Sequence, residues 1–357
     1  MAVKLFFLIF VLSMQGVASF SFASDLETPH FSWVENDPLI LDLIAHPAFQ
    51  RLKHIEQHGL WTRIDAKEES YSRYEHSLGV YSLLKKYGAS RREQVAGLLH
   101  DVSHTAFSHV GDGVFGSENP NDDAYQDLIH STYLKTSGLA SVLEDYGLTA
   151  EEVDPKCGDF SMLEQSHPDL CADRIDYIIQ GSHKAGVLSS SQVFEIRNDL
   201  HFEKNKQRWF FSTQNSAFAF AQGSLLLSEH TWGGAQDSLA VYWFRQMIQE
   251  AFKLKILQPK VMKTGCDDQV WNVLMGSDHP GLKKWQVALL TPQLPLSEAN
   301  PSDRGVKYFQ RKFRGVDPIV MTLAGFKPLT EVSRIYRSEY LLKKKHHAEG
   351  VWLVVEL

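Results

Sequence analysis

The sequence predicts a mainly α protein, a helical bundle followed by a small mixed α/β C-terminal region. Three observations carry this. Apolar residues recur at helical spacing as far as about residue 256, serine and aspartate stand at the starts of those stretches, and short β-prone runs follow a proline-rich segment near the end. With 357 residues and 43% apolar content, the chain has material for a sizeable core plus one appendage.

Taken in order, helices are expected near 38–45, 47–57, 72–86, 91–103, 123–136, 139–146 and 169–180. Ser90 followed by Glu93 reads as a capping box for the fourth of these. Gly181 reads as the stop of the seventh. A hairpin is expected from 200–203 and 208–211, around the polar turn Lys204-Asn205-Lys206-Gln207. Helices resume near 216–229 and 236–253, then 268–275 and 281–290. A proline-rich linker at 292–301 precedes strands expected near 307–314, 318–323 and 351–356. The organisation is thus a leader at 1–23, a helical domain at 24–256 and a mixed region at 257–357, without repeats.

The leader is read from a short basic start through Lys4, an apolar run from Leu5 to Leu12 and the small residues of Ser21-Phe22-Ala23. That run is shorter than the roughly 20 residues a bilayer span needs, so cleavage after Ala23 and export, to a periplasm or beyond, are expected. No stable membrane span is expected in the mature chain. A formal charge of −7 without a long basic stripe argues against general nucleic-acid binding. Three cysteines, Cys157, Cys171 and Cys266, cannot all pair within one chain, and a Cys157–Cys171 bridge is left open.

Chemistry enters with His100-Asp101. On a helix from about Arg91, Val95, Leu98, Leu99 and Val102 form one stripe, while Gly97, His100, Asp101 and His104 share the other side. A solvated face would carry lysine and glutamate instead. His76 and Arg73 lie one turn apart on a helix that looks buried on both sides, and they need partners there. A metal would satisfy His76 and an anion Arg73. Asp173 sits on a third helix with Asp176 and Tyr177. His76, His100, Asp101 and Asp173 together offer imidazole and carboxylate ligands suited to Mn, Fe, Co, Ni, Zn or Mg, and such a metal lets water act as a nucleophile near neutral pH.

The stretches Ser72-Arg73-Tyr74-Glu75-His76-Ser77-Leu78-Gly79-Val80, Leu98 to His109 and Ala172-Asp173-Arg174-Ile175-Asp176-Tyr177 resemble HD-domain metal-dependent phosphohydrolases. The nearest branch is that of the deoxynucleoside triphosphate triphosphohydrolases. Phe49 to Gly59 and Arg314-Gly315-Val316-Asp317-Pro318 are similar to further segments of that branch. The resemblance implies that His76, His100, Asp101 and Asp173 are the metal ligands and that Asp176 supports them. It implies catalytic roles for His104, His109 and Asp112, and substrate contacts for Gln57, Arg73, Arg174 and Tyr177. Two departures stand out: Gly181 replaces an aspartate near the sugar, and Tyr125-Gln126-Asp127 replaces a histidine-bearing helix start. His130, one turn further on, becomes an alternative general acid. A small-molecule phosphoester or nucleotide is the expected substrate. Three readings stay open: a nucleotide hydrolase, a hydrolase of another phosphoester, and a catalytically silent metal-binding protein. The oligomeric state is also open, a homo-oligomer included. His346-His347, after Lys343-Lys344-Lys345, reads as solvated surface.

Overall fold

The computed structural model describes residues 35–64, 69–117, 124–156, 160–230, 234–291 and 298–357. The leader and Cys157 lie outside the described residues, so the export signal and the Cys157–Cys171 bridge do too. Cys171 and Cys266 form no disulfide with each other among the described residues.

The mainly α expectation holds. The central helix, Arg73–Lys86, starts with a full capping box: Ser72 Oγ accepts from Glu75 N (3.2 Å), and Glu75 Oε2 accepts from Ser72 N (2.7 Å). Both sides of this helix are buried, His76 completely. Its neighbour, Arg91–Leu99, is capped by Ser90, but the expected box is only half formed. Glu93 instead turns inward and its Oε1 accepts from Met162 N (2.7 Å) and Leu163 N (3.0 Å), tying down a distant loop. The helix also stops at Leu99, not 103, so His100 is its C-cap and Asp101 lies in the following turn. Gly97 faces Leu84 and Val80, where a Cβ would lie 2.2 Å from Leu84 Cδ1, and this lets the two helices close on each other.

The third helix, Ala172–Lys184, runs through Gly181 rather than ending there. The stop comes at Gly186, whose φ of +68° suits glycine. Residues 47–57, expected as one helix, form a short helix Pro47–Gln50 and a 3-10 turn Arg51–His54. Helices Ser190–Asp199 and Arg334–Glu349 were not anticipated.

The hairpin forms as expected from β1 (Leu200–Glu203) and β2 (Arg208–Phe211), with Leu200 opposite Phe211. Of the C-terminal strands, β3 (Val306–Phe309) is shorter than expected, and β4 (Ile319–Thr322) is followed by an unexpected β5 (Gly325–Pro328). β6 (Val351–Val354) pairs with β3. β2 and β4 run parallel in one sheet of order β1-β2-β4-β5, so strands on both sides of residue 256 share a sheet.

One buried cluster gathers Leu39 to Leu225 with Val316 to Tyr340; a second joins Leu60 and Ala106 to Val110 with Leu239 to Leu289. Phe107 links the site region to the second cluster, packing against Phe244 (ring centroids 4.8 Å apart) and Trp271 (6.2 Å). Burying a ring of that size contributes roughly 1.5–3 kcal/mol. Among the described residues no helix is long and apolar enough to cross a membrane.

Candidate metal centre

Three helices and one turn bring the predicted ligands together. His76 Nε2 lies 2.9 Å from Asp173 Oδ1 and 3.2 Å from His100 Nε2, and His100 Nε2 lies 3.6 Å from Asp173 Oδ1. Asp101 closes the cluster, 3.6 Å from His76 Nε2 and 3.5 Å from His100 Nε2.

The other ring nitrogens decide what these groups want. His76 Nδ1 donates to Asp176 Oδ2 (2.7 Å) and His100 Nδ1 to the Gly97 carbonyl (2.8 Å). In its neutral form each ring would therefore turn an Nε2 lone pair inward. Two facing lone pairs beside two carboxylates call for a shared cation, and the ligand atoms of His76, His100 and Asp173 all lie within 4.8 Å of one another. Burial would push the His76 imidazole down, yet the hydrogen bonds to Asp173 and Asp176 lift it to about 10. The field that draws a proton there also draws a metal ion. Two nitrogen and two oxygen donors fit a divalent transition metal. Gly79 makes room for the supporting carboxylate, since a Cβ there would sit 2.0 Å from Asp176 Oδ1.

Arg73 is pinned beside the cluster, its Nη1 2.5 Å from Asp101 Oδ2 and its Nε donating to Ser108 Oγ (3.0 Å). Burial works to raise the Asp101 carboxyl, but Arg73, His100 and His104 hold it well below the usual range. His104 Nε2 lies 3.3 Å from Asp101 Oδ1, while its buried Nδ1 has no hydrogen-bond partner among the described residues. Burial and the Arg73 charge push His104 down to about 3, so its ring is neutral in the physiological range. The His109 ring stands edge-on to it at 5.0 Å and is half exposed, with Nδ1 2.9 Å from Asp112 Oδ2. Asp112 also accepts from Tyr125 N (3.0 Å). Burial opposes its ionisation, but the His109 contact holds it at about 2.

Residues 73–178 match the HD domain. This stretch carries an HD domain, and the chain is similar to metal-dependent phosphohydrolases. An uncharacterized Bacillus subtilis protein, YdhJ, is 39% identical over 184 residues, 49% of this chain and 55% of that one. The metal-dependent phosphohydrolase cns2 of Cordyceps militaris is 26% identical over 322 residues, 87% of this chain and 90% of that one. Human deoxynucleoside triphosphate triphosphohydrolase SAMHD1 is 32% identical over 152 residues, 36% of this chain but only 23% of that one. A solved phosphohydrolase from Bacteroides thetaiotaomicron shares the fold, with a TM-score of 0.64 and 17% identity over 91% of this chain and 100% of that chain.

In and beside this HD domain the remaining expected residues divide. His130 is tied to Ser103, two residues after Asp101, its Nδ1 3.0 Å from Ser103 Oγ; Nε2 has no partner among the described residues, and burial pushes the ring down to about 4. Gln57 keeps a buried Oε1 with no hydrogen-bond partner among the described residues. Tyr177 is buried, and its carbonyl accepts from Tyr71 OH (3.3 Å). Arg174, expected at the substrate, is engaged with the backbone. Its guanidinium donates to the carbonyls of Asp169 and Gln165, which orders the loop before its own helix.

Sequence reasoning gave no site role to three charged groups that act on these residues. Glu164 is pushed up to about 7 by burial and by Asp173. Lys312 lies in the field of Arg314, Asp112, Asp127 and Arg174, and Arg314 also acts on Tyr177 and His167. Both cations come from the segment before β4, where Phe313 between them packs against Tyr340 (5.2 Å) and His347 (5.4 Å).

Proposed function

We propose that this HD protein hydrolyses nucleoside phosphates, with water attacking phosphorus beside the His76–His100–Asp101–Asp173 cluster. The convergence of two inward-facing imidazole nitrogens and two carboxylates next to a pinned arginine carries the reading. A divalent ion bound there supplies a Lewis acid that polarises a phosphoryl oxygen and makes water a competent nucleophile.

The chain's own groups do the rest. Asp176 and the Gly97 carbonyl fix the tautomers of His76 and His100, keeping both Nε2 atoms available. Arg73 keeps Asp101 ionised at physiological pH. Lys312 and Arg314 add positive charge in the field of Asp112, offsetting the carboxylates that would otherwise repel an anionic phosphate. His109 is the candidate to deliver a proton to the departing oxygen. Its ring is accessible and backed by a charged Asp112, whereas His104 and His130 are held neutral by burial. Residues 1–23 support export, so the substrates would be phosphoesters met outside the cytoplasm.

The likeness to SAMHD1 around the HD motifs supports a nucleotide. A second reading, a non-nucleotide phosphoester, draws on Gly181, which stands where the resemblance would place an aspartate near the sugar. Manganese-loaded protein assayed against ribo- and deoxynucleoside mono- and triphosphates and p-nitrophenyl phosphate separates them. Nucleotide turnover well above aryl phosphate turnover is expected; turnover confined to non-nucleotide esters would establish the second reading, and inertness toward all would reject both.

A further inference from the structure

A segment more than 150 residues beyond the HD motif clamps the loop that carries it. Ala106 N donates to Met262 O (3.0 Å). Arg51 bridges the same two segments, donating from Nη1 to Gly265 O (2.9 Å) and from Nη2 to Val102 O (3.0 Å) and His104 O (2.7 Å). Asp267, with no exposed surface, accepts from Phe107 N through Oδ1 (2.6 Å) and from Glu56 N through Oδ2 (3.0 Å).

Phe107 and Ser108 are both left-handed, with φ of +59° and +55°, a conformation that side chains other than glycine rarely adopt. Such a pair persists only if its surroundings hold it. Ser108 Oγ, so placed, donates to Glu56 O (2.7 Å) and accepts from Arg73 Nε, and Arg73 Nη1 in turn grips Asp101. The carboxyl of Asp267 is itself an expensive group, pushed up to about 7 by burial against the pull of its two backbone donors. An apolar side chain would pack more cheaply at this place in the second core.

We propose that Asp267 is a positioning residue for the metal centre: it holds the Phe107–Ser108 turn, the turn sets Arg73, and Arg73 sets the Asp101 carboxylate. The inference rests on the reading of Asp101 as a metal ligand. It places the control of that ligand in a helix outside the HD domain itself.

Cobalt(II) titration of the full chain, followed by visible absorption and equilibrium dialysis with thermal unfolding in parallel, tests it. Asp267→Asn keeps shape but loses one of the two acceptors, and is expected to fold, to bind cobalt about 10–100-fold more weakly and to show an altered spectrum. Leu274→Ala, a cavity in the same core cluster, is expected to lower the melting temperature while leaving affinity and spectrum unchanged. Wild-type affinity and spectrum in Asp267→Asn would overturn the inference, as would an equal loss in Leu274→Ala. Asp267→Ala serves as a stronger variant where it folds. Wild-type cobalt binding by Asp101→Ala would instead reject the ligand assignment, a separate failure.

Discussion

Replacing His76 by alanine is expected to abolish stoichiometric metal binding and to lower turnover by about a thousandfold or more. The ring is fully buried and contributes two things at once, an inward Nε2 and a brace for Asp176. Neither His100 nor Asp173 can take its place, because His100 is committed through Nδ1 to Gly97 and Asp173 offers only oxygen. Several kcal/mol of transition-state stabilisation come from such a centre, and each 1.4 kcal/mol or so is tenfold in rate. Metal content by mass spectrometry and initial rates on the preferred phosphoester, measured on one preparation, check this. A variant that retains one equivalent of metal and wild-type rate would remove His76 from the centre.

Arg73→Ala is expected to destabilise the metal-free protein by about 3–5 kcal/mol, because it strands Asp101 inside the fold. Both side chains are nearly inaccessible, at 4% and 5% exposure, so water cannot substitute for the lost guanidinium. The effect carries its own pH signature. Asp101 is held well below its ordinary 3.8, so the stability it contributes is fully present above that value and is lost as pH falls through the depressed one. The gap between wild type and Arg73→Ala should therefore be widest near neutrality and narrow below about pH 4. Urea unfolding in the presence of a chelator at pH 7 and at progressively lower pH measures it. A difference under about 0.5 kcal/mol at pH 7, the range of an ordinary surface change, would show that Asp101 is neutralised by another group.

What the sequence made legible is mostly local. Ser72 and Glu75 lie three residues apart and close a capping box within one turn, and Leu200–Glu203 meets Arg208–Phe211 across a short turn. Glu93 sits in the same pattern as Glu75, but it was drawn off by Met162 and Leu163, partners that no local rule could supply. Gly181 was read as a stop, yet a helix tolerates a glycine in its interior when packing holds it, and Gly181 is buried. Helix Arg334–Glu349 escaped notice because its buried face consists only of Tyr336, Tyr340 and His347 amid charged residues. His347 corrects the reading of that histidine pair as surface. His346 is exposed, but His347 is buried with Nδ1 on Lys343 O (2.9 Å) and Nε2 on Ser228 O (3.2 Å).

The candidate site divides along the same line. His76, His100, Asp101 and Asp173 were legible because imidazoles and carboxylates on otherwise buried helices need a partner of matching chemistry. Arg174 carried the same charge as Arg73 but found backbone carbonyls first. Lys312, Arg314 and Asp267 stand far away in sequence and reach the site only through the paired β2 and β4 and the clamp at 262–267. Their types are common on surfaces, so neither spacing nor periodicity marks them, and only Arg314 fell in a stretch that the family resemblance covers.

Anomalous diffraction from crystals grown with manganese tests the metal centre most directly. One peak is predicted between His76 Nε2, His100 Nε2, Asp101 and Asp173, about 2.0–2.3 Å from its ligand atoms. Saturating manganese with no peak there, or a peak bound by other side chains alone, would contradict the centre described for this chain.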